Sequence, residues 1–207
     1  SDVFTYTNQN SAEIIFAIPY DEIYGVGNQI HMKTLDPLSQ GVYQMTAQPW
    51  GGNCAVPQFI NTYDPEDSRL KDSWIQGPQS NPLTGQVLIT YVNSVPGMGG
   101  LDGIVAPSNA GFRIGKFVIK QKATNNLDND FPFLRYGDVL MMKAEALLRT
   151  GDPDGAASLV TQVRQRAFKS NTSKATVSGA DLLKGSVYQY GLQAPDGTIS
   201  ATNGGAD

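Results

Sequence analysis

The chain has 207 residues and a mass of 22.2 kDa, enough for one large domain with its own core. With 15 Lys and Arg against 19 Asp and Glu, the formal net charge is -4, so no basic surface exists to neutralise a phosphate backbone, and nucleic acid is excluded as a partner class. Charged residues make up only 16% while Asn, Gln, Ser and Thr total 55, and together with 22 Gly and 12 Pro this predicts a folded, loop-rich protein with an uncharged polar surface.

In chain order, Ser11 to Pro19 joins β-branched and aromatic residues and predicts a buried strand at 13–18. From Gly25 to Gly52 no period of 2 or 3.6 is sustained, which predicts a long irregular loop, the first place to look for a site. Val56, Phe59, Ile60 and Tyr63 then fall at i, i+3, i+4 and i+7, with Pro57 in the first turn, so a short amphipathic helix is expected, ended by Asp64 to Arg69. Strands are expected at 86–92 and 112–119, with a flexible Gly-rich loop at 96–100 between them.

The strongest period follows Phe131-Pro132. Tyr136, Leu140, Ala144 and Leu147 recur at helical spacing up to Gly151. Asp152 can then cap a second helix with Pro153 in its first turn, and Ala156, Leu159, Val163 and Ala167 form its stripe. A helical hairpin over 131–168 follows, with Ala144 and Ala156 small enough to let the helices approach closely. Ala180 to Leu183 can form one further turn.

Most chemically suggestive groups have an ordinary reading. A single Cys54 and a single His31 exclude an intrachain disulfide and a zinc set, and no apolar run reaches the length of a membrane-spanning helix. Asp64, Glu66, Asp67 and Asp72 cluster as a glycosidase pair would, yet acids beside Pro and Ser are ordinary turn caps. Asn126, Asp128 and Asp130 alternate as calcium ligands do, without the glycine and the closing Glu that such a loop needs. Gly97 to Gly103 has the glycine density of a phosphate loop but lacks its Lys-Ser/Thr, and Asn171-Thr172-Ser173 is a glycosylation sequon, a common chance match. No catalytic residue, metal ligand or cofactor is therefore assigned. What remains is aromatic: Tyr43, Trp50, Tyr63 and Trp74 lie among Gln44, Gln48, Asn53 and Gln76, and flat rings with amide neighbours hold sugar faces and hydroxyls. Tyr43, Trp50 and Asn53 are the candidate ligand-binding residues.

The segment Phe131-Pro132-Phe133-Leu134-Arg135-Tyr136-Gly137-Asp138-Val139-Leu140 to Leu147, followed by Gly151-Asp152 and Val163-Arg164-Gln165-Arg166-Ala167, closely resembles the SusD/RagB family. Asn10 to Tyr20 is similar to the family's "NSEVIFEIPY" strand, and Gly51 to Arg69 to its "G-x-x-x-P…Y…D-x-R" stretch. The resemblance implies a mainly α fold, a tetratricopeptide-like α-α superhelix with long loops and a few short strands. Residues 1–207 would form part of a single SusD-like domain, a C-terminal-half fragment without the lipidated cysteine and the earlier repeats. It further implies a non-enzymatic, lipid-anchored outer-membrane protein that captures glycan nutrients for a TonB-dependent SusC-like transporter. Peptide or protein capture in the manner of RagB is the alternative, and a glycoside hydrolase resting on Asp64 and Asp67 the third reading.

Overall fold

The protein, described as a computed structural model over residues 2–24, 26–95, 107–184, 189–193 and 198–204, begins with two single 3-10 turns and strand β1 (Ile14–Ile18). The segment that lacks a period in sequence holds two short helices, α1 (Ile30–Thr34) and α2 (Ser39–Tyr43). Then come α3 (Pro57–Ile60), α4 (Ser68–Ser73), β2 (Trp74–Ile75) and the hairpin of β3 (Gly77–Ser80) with β4 (Val87–Tyr91). Strands β5 (Arg113–Ile114) and β6 (Phe131–Arg135) precede helices α5 (Tyr136–Arg149) and α6 (Pro153–Gln165). A 3-10 turn at Thr172–Ala175, α7 (Gly179–Leu182) and the pair β7 (Gln189–Gln193) and β8 (Ile199–Gly204) follow. Each sheet among the described residues is an antiparallel pair: β1 with β6, β2 with β5, β3 with β4, β7 with β8. No helix among the described residues is long and apolar enough to cross a membrane.

The helical hairpin forms where its period predicts it. Asp138 reaches back to accept the Arg135 backbone N–H at 2.9 Å and binds the Arg135 guanidinium at 2.6 Å, which fixes the start of α5. Asp152 caps α6 by accepting from the Gly155 N–H at 2.9 Å, and Ala144 and Ala156 are both buried between the helices. The expected superhelix is not formed by the described residues. Stacked pairs need a long helical period in each repeat, and only 136–165 carries one, whereas α1 to α4 stop within two turns.

Three further expectations are corrected. Strand β1 is paired but not buried: Ile15 and Phe16 are 56% and 57% exposed, because its sheet has two strands and no described layer covers that face. The Gly25 to Gly52 stretch is not one irregular loop, since it contains α1 and α2 and supplies much of the core. The strand at 112–119 shortens to Arg113–Ile114. Beyond it the backbone bonds singly to separate segments, Gly115 N–H to Ser73 and Val118 N–H to Phe4, while Phe117 turns into a ring cluster with Phe4 and Phe131. The Gly-rich stretches expected at 96–100 and 97–103 lie wholly outside the described residues.

The principal core consists of Met32, Leu35, Met45, Ala123 and Leu127, with Tyr43 and Ile75 packed on it. Around it, buried amides replace regular ladders as partners for irregular backbone. Asn8 Nδ2 donates to the carbonyls of Val3 and Asp130, at 2.7 and 2.9 Å, and its Oδ1 accepts from the Asp130 N–H. Asn129 Nδ2 donates to Phe4 and Val118, at 3.0 and 3.1 Å. A smaller core, Ala167, Phe168 and Ala175, sits at the end of α6.

Candidate ligand-binding site

The segment from Trp50 to Ala55 is bound along the end of α1. Trp50 N–H donates to the Met32 carbonyl at 2.8 Å and Asn53 N–H to the Lys33 carbonyl at 2.9 Å, so the turn satisfies carbonyls that the short helix leaves without helical partners. Thr34 Oγ1 donates to the Asn53 carbonyl at 2.8 Å and accepts the Ile114 N–H at 2.9 Å, tying the turn to β5. The turn depends on Gly51 and Gly52, whose φ angles of +76° and +117° lie where a side chain is strained. The consequence is a rigid backbone that presents outward groups: the Trp50 indole is 54% exposed and Asn53 is exposed three residues on.

Tyr43 faces differently. It packs against the Met32 and Leu35 cluster, and burial, with a smaller contribution from Tyr91, pushes its phenol up to about 12. Trp50 and Asn53 thus share one turn while Tyr43 lies against the core behind it. Tyr63 and Trp74 belong to a separate ring group, in which Trp74 Nε1 donates to the Tyr63 hydroxyl at 3.3 Å and Phe59 meets both rings edge-on.

The acids flagged in the sequence act as structural pairs. Asp67 caps α4 and holds the Arg69 guanidinium; burial alone would raise its pKa, but the hydrogen bonds from Arg69 outweigh burial and lower it. The Glu66 N–H and Lys174 lower Asp64, and Lys174 also pairs with Glu66 at 2.7 Å. A glycosidase general acid needs a raised pKa, and Asp64 and Asp67 shift the other way. Asp128 and Asp130 accept the backbone N–H groups of Glu22 and Tyr20, and Asn126 accepts from Gln29, so this triplet holds the 20–29 segment in place. Among the described residues no group of three or more His, Cys, Asp or Glu is placed to hold a metal ion. His31 is buried and donates from Nε2 to the Thr124 carbonyl at 2.8 Å, and burial lowers its pKa. Burial likewise raises the Cys54 thiol.

One concave feature has no counterpart in the sequence: a cavity of about 350 Å³ between α3 and the end of α6, walled by Phe59, Tyr63 and Phe168 and by the charged side chains of Asp64, Asp67, Arg69 and Arg164 beside the exposed Thr62. The helical stripe that marks Phe59 and Tyr63 gives no hint that Arg164 and Phe168 arrive opposite them.

The sequence profile of the SusD family matches residues 12–189. No curated relative matches the chain. Among solved structures, a SusD superfamily protein from Parabacteroides distasonis aligns at a TM-score of 0.55 and 18% identity, covering 97% of this chain and 47% of its own. A SusD superfamily protein from Bacteroides fragilis aligns at 0.53 and 21% identity, covering 81% and 33%. Surface glycan-binding protein A from Bacteroides thetaiotaomicron aligns at 0.52 and 20% identity, covering 79% and 37%. The chain therefore spans between a third and just under half of the length of these proteins, with which it shares a fold.

Proposed function

We propose, since the chain belongs to the SusD family, that this protein captures glycan at the cell surface and passes it on without making or breaking a bond. Its partner in this reading is a TonB-dependent SusC-like transporter in the outer membrane, and a lipid anchor holds the capture protein there. The observation that carries the reading is the exposed Trp50 indole beside exposed Asn53 on a turn held by three hydrogen bonds to α1 and by two glycines at positive φ. A flat apolar ring meets the C–H face of a pyranose, and the neighbouring amide meets its hydroxyls, at little ordering cost because the backbone is already held. The glycan-binding name of one structural neighbour points the same way.

Affinity electrophoresis of the full-length protein across soluble polysaccharides tests the proposal. Retardation by at least one glycan, weakened in Trp50→Ala, is the expected result. Retardation that Trp50→Ala leaves intact would move the site elsewhere. Absence of retardation on every gel, with binding to extended peptides instead, would replace glycan capture with peptide capture, in which main-chain groups do most of the holding.

A further inference from the structure

We infer that the cavity between α3 and the end of α6 is a second saccharide site, one that selects a sugar residue carrying an anionic group, with Arg164 as the charged contact. The sugar part of this inference rests on the glycan-capture reading. The selectivity rests on the cavity itself.

At about 350 Å³ the cavity lies in the range of small-ligand pockets, roughly 300 to 1,000 Å³. Its aromatic walls are held in position. Phe59 and Tyr63 meet edge-on with centroids 5.6 Å apart, Tyr63 is fixed by Trp74, and Phe168 is fully buried beneath the Arg164 guanidinium at 5.0 Å. Of these, Phe59 and Tyr63 are accessible enough to offer an apolar face to a pyranose, while Phe168 supports Arg164 from beneath.

The hydrogen-bonding capacity left over is one-sided. Asp67 already receives the Arg69 backbone N–H, Nε and Nη2, and Asp64 receives the Glu66 N–H and Lys174. These acceptors are occupied. Arg69 Nη1 and Arg164 Nη1, by contrast, have no hydrogen bond among the described residues. Three cations, Arg69, Arg164 and Lys174, face three acids, Asp64, Glu66 and Asp67, but they are not matched pair by pair. Lys174 takes Asp64 and Glu66 and Arg69 takes Asp67, whereas Arg164 hydrogen-bonds to the carbonyls of Ala175 and Lys174, at 2.9 and 3.1 Å, and its charge reaches Asp64 and Asp67 only through space, without a hydrogen bond to either. A guanidinium held in place by neutral acceptors, with a donor to spare and an aromatic ring under it, is suited to a carboxylate or sulfate on a ring that stacks beside it. The shared chemistry is an anionic sugar, either a uronate or a sulfated residue.

The test is isothermal titration of the full-length protein with trigalacturonate and with its methyl ester, which removes the charge and keeps the ring, and with a sulfated disaccharide in parallel. The acid should bind about tenfold tighter than the ester, and about 0.5 M salt should shrink that ratio. If the sulfated disaccharide shares the preference, the site reads charge in general; if it does not, it reads carboxylate. Thr62→Trp, which fills the cavity and gives up only the bond from Thr62 Oγ1 to the Phe59 carbonyl, should bring the ratio to one, with folding checked by circular dichroism. Arg164→Lys should reduce it. Equal affinity for acid and ester, or a ratio that survives Thr62→Trp, would overturn the inference while leaving capture at Trp50 standing. Failure of every saccharide, neutral polysaccharides included, would overturn both together.

Discussion

The helical hairpin at 136–165 and the irregular region at 26–127 divide order and burial between them in opposite ways. The hairpin has the longest regular elements, yet Met142 on α5 is 52% exposed and within 136–165 only Gly137, Ala144, Ala156 and Ala157 are buried. The irregular region has helices of four to six residues, yet Met32, Leu35 and Leu127 are at most 1% exposed. Regular structure satisfies backbone groups locally, so a helix can form with little burial. Irregular backbone must find partners among side chains, and this accounts for a composition rich in Asn, Gln, Ser and Thr. A stretch of short helices and turns built in this way is a rigid mount, and Trp50 stands on it.

The largest expected contrast comes from matched truncations. Leu35→Ala should cost about 2 to 5 kcal/mol in denaturant unfolding, and Met142→Ala about 0.5 kcal/mol or less. Equal costs would erase the distinction between the two regions. Next, Asn129→Ala removes the donors to the Phe4 and Val118 carbonyls and should cost about 1 to 3 kcal/mol, a size unusual for an amide and measurable in the same titration. In the hairpin the comparable local device is a cap, and Asp152→Ala should cost about 1 kcal/mol, with the loss concentrated in hydrogen exchange of the first turn of α6.

The smallest effect is that of pH. Burial holds His31 below its ordinary 6.5, although its bond to Thr124 opposes this, so as pH falls the unfolded chain takes up the proton first. The contribution of His31 is complete above 6.5 and is lost as the pH falls towards the folded value. Melting temperature should therefore decline from pH 7 to 5, and His31→Gln should flatten that decline.

The same division governs what the sequence discloses. The hairpin is legible to its caps, since Asp138, Asp152, Ala144 and Ala156 act within a turn or two of their own positions. The core is not, because Asn8 meets Asp130 and Gln29 meets Asn126 across most of a domain, and no local period encodes such contacts. Strand β1 is legible as a strand from its branched residues, but its exposure depends on which layers pack on it. Within the candidate site, Gly51-Gly52 announces a turn and Trp50 an exposed ring, while the inward packing of Tyr43 is set by the fold around it. The cavity at Arg164 could not be read at all, since its walls meet only once the end of α6 folds back on α3.

The central claim is that Trp50 meets the ligand, and the chain's two tryptophans, Trp50 and Trp74, make a direct test possible. Trp50→Phe and Trp74→Phe variants of the full-length protein each remove one indole at these positions. Both would be titrated, with fluorescence as the readout, using a neutral oligosaccharide from whichever polysaccharide retards the protein. Emission should change on saturation when Trp50 is present and lose that change in Trp50→Phe. A signal retained in Trp50→Phe and lost in Trp74→Phe would contradict the account.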